Sequence, residues 1–133
     1  MGWKERFLFL ILEGTAVLRI RMCLIGETPG EGVNNYFIAL SEGKCVLRKL
    51  VMRPDADPQV TDLVTPSVQI KPNTWHNAAF TCKGKALSLD LDGVKVLEYV
   101  DESDPVLSGS VVIASFPDSH VLFDDIVIEE YTK

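Results

Sequence analysis

The dipeptide Asp92-Gly93 sits between two runs that alternate apolar and polar residues, Lys85–Leu91 and Val94–Val100. A two-residue connection of this kind needs positive φ at both central positions, which Asp-Gly supplies at little cost. The flanking runs are thereby pinned as an antiparallel hairpin. Leu87, Leu89 and Leu91 share one face, and Ser88 and Asp90 share the other. On the return the apolar phase moves from Val94/Val96 to Leu97/Tyr99, which predicts a bulge or a strand covered on both faces. The run before it, Trp75–Cys82, alternates as well and joins through Lys83-Gly84.

The same period governs most of the chain. Ala16–Leu24 puts Leu18, Ile20, Met22 and Leu24 on one face and Arg19, Arg21 and Cys23 on the other. Asn35–Leu40 and Cys45–Met52 read as strands joined by a turn at Ser41-Glu42-Gly43-Lys44, with shorter runs at Val60–Val64 and Ser67–Ile70. Gly109–Phe116 and His120–Glu130 form a last pair joined by Pro117-Asp118-Ser119. The Gly/Pro/Glu-rich segment Ile25–Val33 and the polar segment Asp101–Ser108 read as loops, and the prolines of Arg53–Gln59 bar that stretch from continuous pairing. No helix-period segment exceeds a turn or two. About ten short strands, with turns every ~8 to 12 residues, predict an all-β fold: a two-sheet antiparallel β-sandwich or a barrel. A length of 133 residues predicts one domain, residues 1–133.

Charge narrows the function classes. A net charge of −6 argues against nucleic acid as the main partner. Arg19, Arg21, Arg48, Lys49 and Arg53 concentrate in the first half and leave room for a local anion site. The apolar run Phe7–Leu12 is too short to span a membrane, and Glu13 interrupts it before a secretory-signal core is complete, so a buried strand is expected. Cys23, Cys45 and Cys82 show no zinc-ligand spacing. They read as small apolar residues on strands, or as one disulfide and a leftover thiol.

From Asn35 onward the order of motifs is more specific. A strand NNYFIAL is followed by a turn and CVLRKLV, then by the Trp75-His76 opening, the turn residue Gly84, and the Leu91-Asp92-Gly93-Val94 hairpin. An acidic loop, Asp101–Gly109, and the strand pair GSVVIASFPDSHVLFDDIVIEE complete the series. This succession resembles the concanavalin A-like jelly roll in its laminin G-like and 3-keto-disaccharide hydrolase-like branches. The resemblance covers about the last hundred residues, and more weakly the strand from Ala16. It implies a lectin-like β-sandwich, non-catalytic, binding a carbohydrate or a protein surface, with an extracytoplasmic or secreted setting. It also implies two alternatives: a sugar-processing enzyme, or a structural, self-assembling domain. Such domains usually begin with one or two further strands. The early start here implies either a minimal version or an edge completed by another chain, with homo-oligomers forming through an N-terminal edge strand at Phe7–Leu12.

Candidate site residues follow from chemistry and from the resemblance. Sugars are held by aromatic faces combined with amide and guanidinium donors, and Arg19, Arg21, Asn35, Tyr36 and Arg48 are expected to decorate the solvent face of one curved sheet. Trp75 is a candidate stacking residue. His76 alternates with Ala78, Phe80 and Cys82, so it is expected near the core, and no nucleophile motif accompanies it. Asp92 is explained by its turn and Asp90 by an exposed face. Asp124 shares a face with Leu122, Ile126 and Ile128, where a carboxylate needs a hydrogen-bonded or cationic partner. The resemblance implies that this partner is a structural Ca²⁺, which takes oxygen ligands.

Overall fold

The computed structural model describes the backbone of residues 2–24, 33–51, 57–103 and 110–131, and side chains within these except at 2–3, 19–24, 33, 110–112 and 130–131. The Ile25–Val33 loop up to residue 32, and much of Arg53–Gln59 and Asp101–Ser108, therefore lie outside the described residues, as do the side chains of Arg19, Arg21 and Cys23. The described chain is all β, without helix. Its strands are β1 (Gly2–Glu13), β2 (Ala16–Leu24), β3 (Val33–Ser41), β4 (Lys44–Val51), β5 (Gln59–Val64), β6 (Trp75–Lys83), β7 (Ala86–Leu91), β8 (Val94–Val100), β9 (Ser110–Ser115) and β10 (His120–Tyr131). They form two antiparallel five-stranded sheets, ordered β10-β1-β6-β7-β8 (sheet A) and β5-β4-β3-β2-β9 (sheet B). The Ser67–Ile70 run contributes only one bridge, Lys44 to Ser67.

The turns follow from their residues. Asp92 and Gly93 have φ of 51° and 83°, the positive pair that the β7–β8 hairpin requires. The β6–β7 connection centres on Gly84-Lys85, one residue later than the sequence predicts. The phase change in β8 is a bulge: Leu89 faces Leu97 while Asp90 faces Lys95, so Val96 is the extra residue.

Inward side chains from both sheets make one core, in which Phe7, Phe9, Leu18, Ile38, Leu47, Phe80 and Leu89 are at most 2% exposed. Glu5 breaks the apolar pattern of the inward residues on β1. Glu5, aligned with Phe80 on β6 and Ile128 on β10, is fully buried, and neither carboxyl oxygen has a hydrogen-bond partner among the described residues. Burial raises its pKa from 4.5 to about 7. Cys45 and Cys82 are buried free thiols, and burial pushes the Cys45 thiol up to about 12, leaving it unreactive.

The N-terminal strand is not an edge. β10 pairs along β1 from Tyr131 to His120 and β6 pairs along its other side, so β1 is interior. Its apolar residues on both faces are the signature of a central strand. Between β1 and β2 the chain passes from one sheet to the other through Gly14 (φ 85°), whose missing Cβ leaves room for Ser119. Ser119 Oγ accepts the Thr15 amide at 2.9 Å, and the Phe116 amide donates to the Thr15 carbonyl at 3.1 Å. Gly14→Ala would overlap Ser119 and force an L-residue into the left-handed region. A loss of about 2–5 kcal/mol in urea unfolding is expected, whereas Gly14→Ala without measurable loss would show that this corner yields.

Candidate functional site

The outer face of sheet B carries an aromatic, cationic and carboxylate row among the described residues. On β3 the alternation that sends Tyr36, Ile38 and Leu40 inward leaves Asn35, Phe37 and Ala39 facing out. Register places Phe37 opposite Arg48 on β4, and Arg48 opposite Asp62 on β5. The Arg48 guanidinium lies over the Phe37 ring, 5.8 Å from its centroid, and its Nε donates to Asp62 Oδ1 at 2.7 Å. Arg48 is thus oriented from below by an aromatic ring and from the side by a carboxylate. An open cleft of about 480 Å³ adjoins this pair, lined by Lys44, Thr65, Ser67 and Phe116 as well as Arg48 and Asp62. It offers guanidinium and ammonium donors, a carboxylate acceptor and hydroxyls that do both. Asp62 is the one carboxylate among the described lining residues.

The sequence-predicted residues do not converge on one place. Arg48 lines the cleft. Asn35 faces the same side but is 1% exposed. Tyr36 is a correction: it faces the core at 0% exposure, and its hydroxyl donates to Asp101 Oδ2 at 2.6 Å. The reason is parity, since Tyr36 and Phe37 are consecutive on a strand and only one of them can face out. Arg19 pairs through its backbone with Phe37 and Val112, and Arg21 falls where the β2 register slips against both neighbours. Trp75 is 45% exposed, but it stands on the outer face of sheet A beside Leu10, across the sandwich from Arg48.

His76 is buried and fully engaged. Its Nδ1 lies 2.7 Å from Asp92 Oδ2, and its Nε2 accepts the Lys71 amide at 3.1 Å. The ring is a strut between β6 and the β7–β8 turn. Burial pushes the Asp92 carboxyl up, but hydrogen bonds from His76 and the Asn77 amide hold it below its ordinary value. Asp90 faces the outer side of sheet A, away from the cleft.

Asp124 is also a correction to the expected environment. It is exposed, and its Oδ1 accepts the amide of Asp125 at 2.8 Å. A bulge at Asp125 (φ 50°) interrupts the alternation, so Asp124 is aligned with outward Leu8 rather than with the packed residues. Among the described residues no three or more His, Cys, Asp or Glu side chains cluster around a common point. Lys44, Asp62, Thr65, Ser67 and Phe116 escaped sequence reasoning, since only the β4–β5 register and the following loop bring them together. Asp62, set in the short run VTDLV, was the one visible signal.

Solved structures of the same architecture place this fold among galectin-like jelly-roll β-sandwiches. The chain is similar to the carbohydrate-binding module CBM66 from Bacillus subtilis, at 12% identity over 97% of this chain and 75% of that one, TM-score 0.68. It is similar to sheep galectin-11, at 8% identity over 96% and 89% of the two chains, TM-score 0.67. A Bacillus subtilis protein of unknown function with a galectin-like fold aligns at 13% identity over 96% and 71%, TM-score 0.75. These similarities establish a jelly-roll β-sandwich fold. No protein-family model matches the chain, and no curated protein matches it in sequence.

Proposed function

We propose that this chain is a non-catalytic, lectin-like carbohydrate-binding module that takes a sugar in the cleft on the outer face of sheet B. The observation that carries this is the Phe37–Arg48–Asp62 ladder, set beside the hydroxyls of Thr65 and Ser67. A guanidinium already fixed by a ring and a carboxylate needs little further ordering to donate to sugar hydroxyls, while Asp62 accepts from them. The names of two structural neighbours, a carbohydrate-binding module and a galectin, support the same reading. Weak, reversible association is expected from an open site.

Glycan-array screening followed by affinity electrophoresis tests the proposal. Arg48→Ala is expected to lower affinity about tenfold to a hundredfold, the value of about one to two charge-assisted hydrogen bonds. Arg48→Lys is expected to recover only part of the loss, because it lacks the planar fork. Trp75→Ala, on the far sheet, is expected to leave binding unchanged. A blank array with folded protein, or binding abolished by Trp75→Ala and untouched by Arg48→Ala, would sink this assignment.

A further inference from the structure

Strand β10 ends sheet A, and its far side has no hydrogen-bonded neighbour among the described strands. Edge strands are ordinarily short or guarded by charge, because unpaired amides and carbonyls invite another chain. β10 runs for 12 residues and exposes three consecutive apolar side chains, Ile126 (51%), Val127 (42%) and Ile128 (55%). Acids stand on both sides of this run. Asp124 and Asp125 precede it, and Glu129, bridged to Arg6, and Glu130 follow it.

The arrangement selects its occupant. A second copy pairing antiparallel about Val127 would set Asp124 against Glu130 and Asp125 against Glu129. Slipping the register by one residue either way still leaves an acid facing an acid, as Asp124 with Glu129 or Asp125 with Glu130. Like charges directly opposite each other destabilise a strand pair. A partner with an apolar centre and basic flanks meets the opposite situation at every position. We infer that the β10 edge docks an extended, basic-flanked apolar segment of another polypeptide, which adds as a further strand to sheet A. Main-chain hydrogen bonds would supply affinity, the isoleucines and Val127 would be covered, and the acids would set selectivity. The surface belongs to the sheet opposite the cleft, so it stands apart from sugar binding.

Fluorescence anisotropy on the full chain tests this with two labelled peptides, one with lysine pairs flanking a Val-Thr-Val centre and one with glutamate pairs. The lysine peptide is expected to bind and the glutamate peptide to fail. Asp124→Asn with Asp125→Asn keeps the cap and tolerates the positive φ at position 125. This double variant is expected to weaken the lysine peptide about fivefold to tenfold. Val127→Lys is expected to abolish binding while circular dichroism stays unchanged. Equal binding of both peptides, no binding by folded protein, or a stable dimer in light scattering that Val127→Lys disrupts would each overturn the inference.

Discussion

Asp101→Ala is expected to cost about 3–5 kcal/mol of folding stability, measured by urea denaturation near neutral pH. The side chain is 2% exposed and, from the end of β8 in sheet A, reaches Tyr36 and Lys49 of sheet B. Its Oδ2 accepts from Tyr36 at 2.6 Å and pairs with Lys49 Nζ at 2.7 Å, and its Oδ1 accepts the Ser103 amide at 3.1 Å. Burial alone would raise the carboxyl's pKa. The Lys49 and Tyr36 hydrogen bonds, the Ser103 amide and the Lys49 charge reverse that and hold it below 3.8. Removing the carboxylate leaves a hydroxyl deprived of its acceptor and a largely buried ammonium deprived of its counter-charge. Tyr36→Phe removes one bond and is expected to cost less, about 1–3 kcal/mol. An Asp101→Ala loss below about 1 kcal/mol would show that the network is solvated rather than buried.

Glu5 acts in the opposite direction. Its pKa is 4.5 in ordinary surroundings and about 7 in the fold, so between these values the folded chain holds a proton that the unfolded chain has released. Stability is therefore full below pH 4.5 and falls as pH rises to about 7, by about 3 kcal/mol in all. Asp101 contributes stability above its ordinary value and loses it as pH falls through its depressed one. The two groups therefore pull stability in opposite senses as pH changes. Glu5→Gln is expected to flatten the decline between pH 5 and 7, and Glu5→Leu to raise stability at pH 8 by about 2–3 kcal/mol. Thermal melts across that range decide the matter. An unchanged slope in Glu5→Gln would assign the decline to another group.

The two faces of the sandwich explain why the candidate residues scatter. Trp75 and Arg48 are both outward residues, but they belong to different sheets, so no single ligand spans them. Leu10, Trp75 and Leu122 form a row across sheet A, and Phe37, Arg48 and Asp62 form one across sheet B. Pairing across strands, rather than distance along the chain, makes each row.

What the sequence determined is whatever a short stretch decides for itself. Asp92-Gly93 set a hairpin because positive φ is a local property, and the phase change in Val94–Val100 marked a bulge because side-chain parity is local too. Alternation along Trp75–Cys82 placed His76 inward for the same reason. The tertiary structure decided everything that depends on a partner. Phe7–Leu12 became an interior strand because β10 and β6 flank it, and Tyr36 turned to the core where Asp101 and Lys49 await it. Asp62 met Arg48 only through the register of two strands separated by a proline-bearing stretch. Parity can be counted along one strand, but which strand lies alongside is settled by burying the whole apolar surface at once.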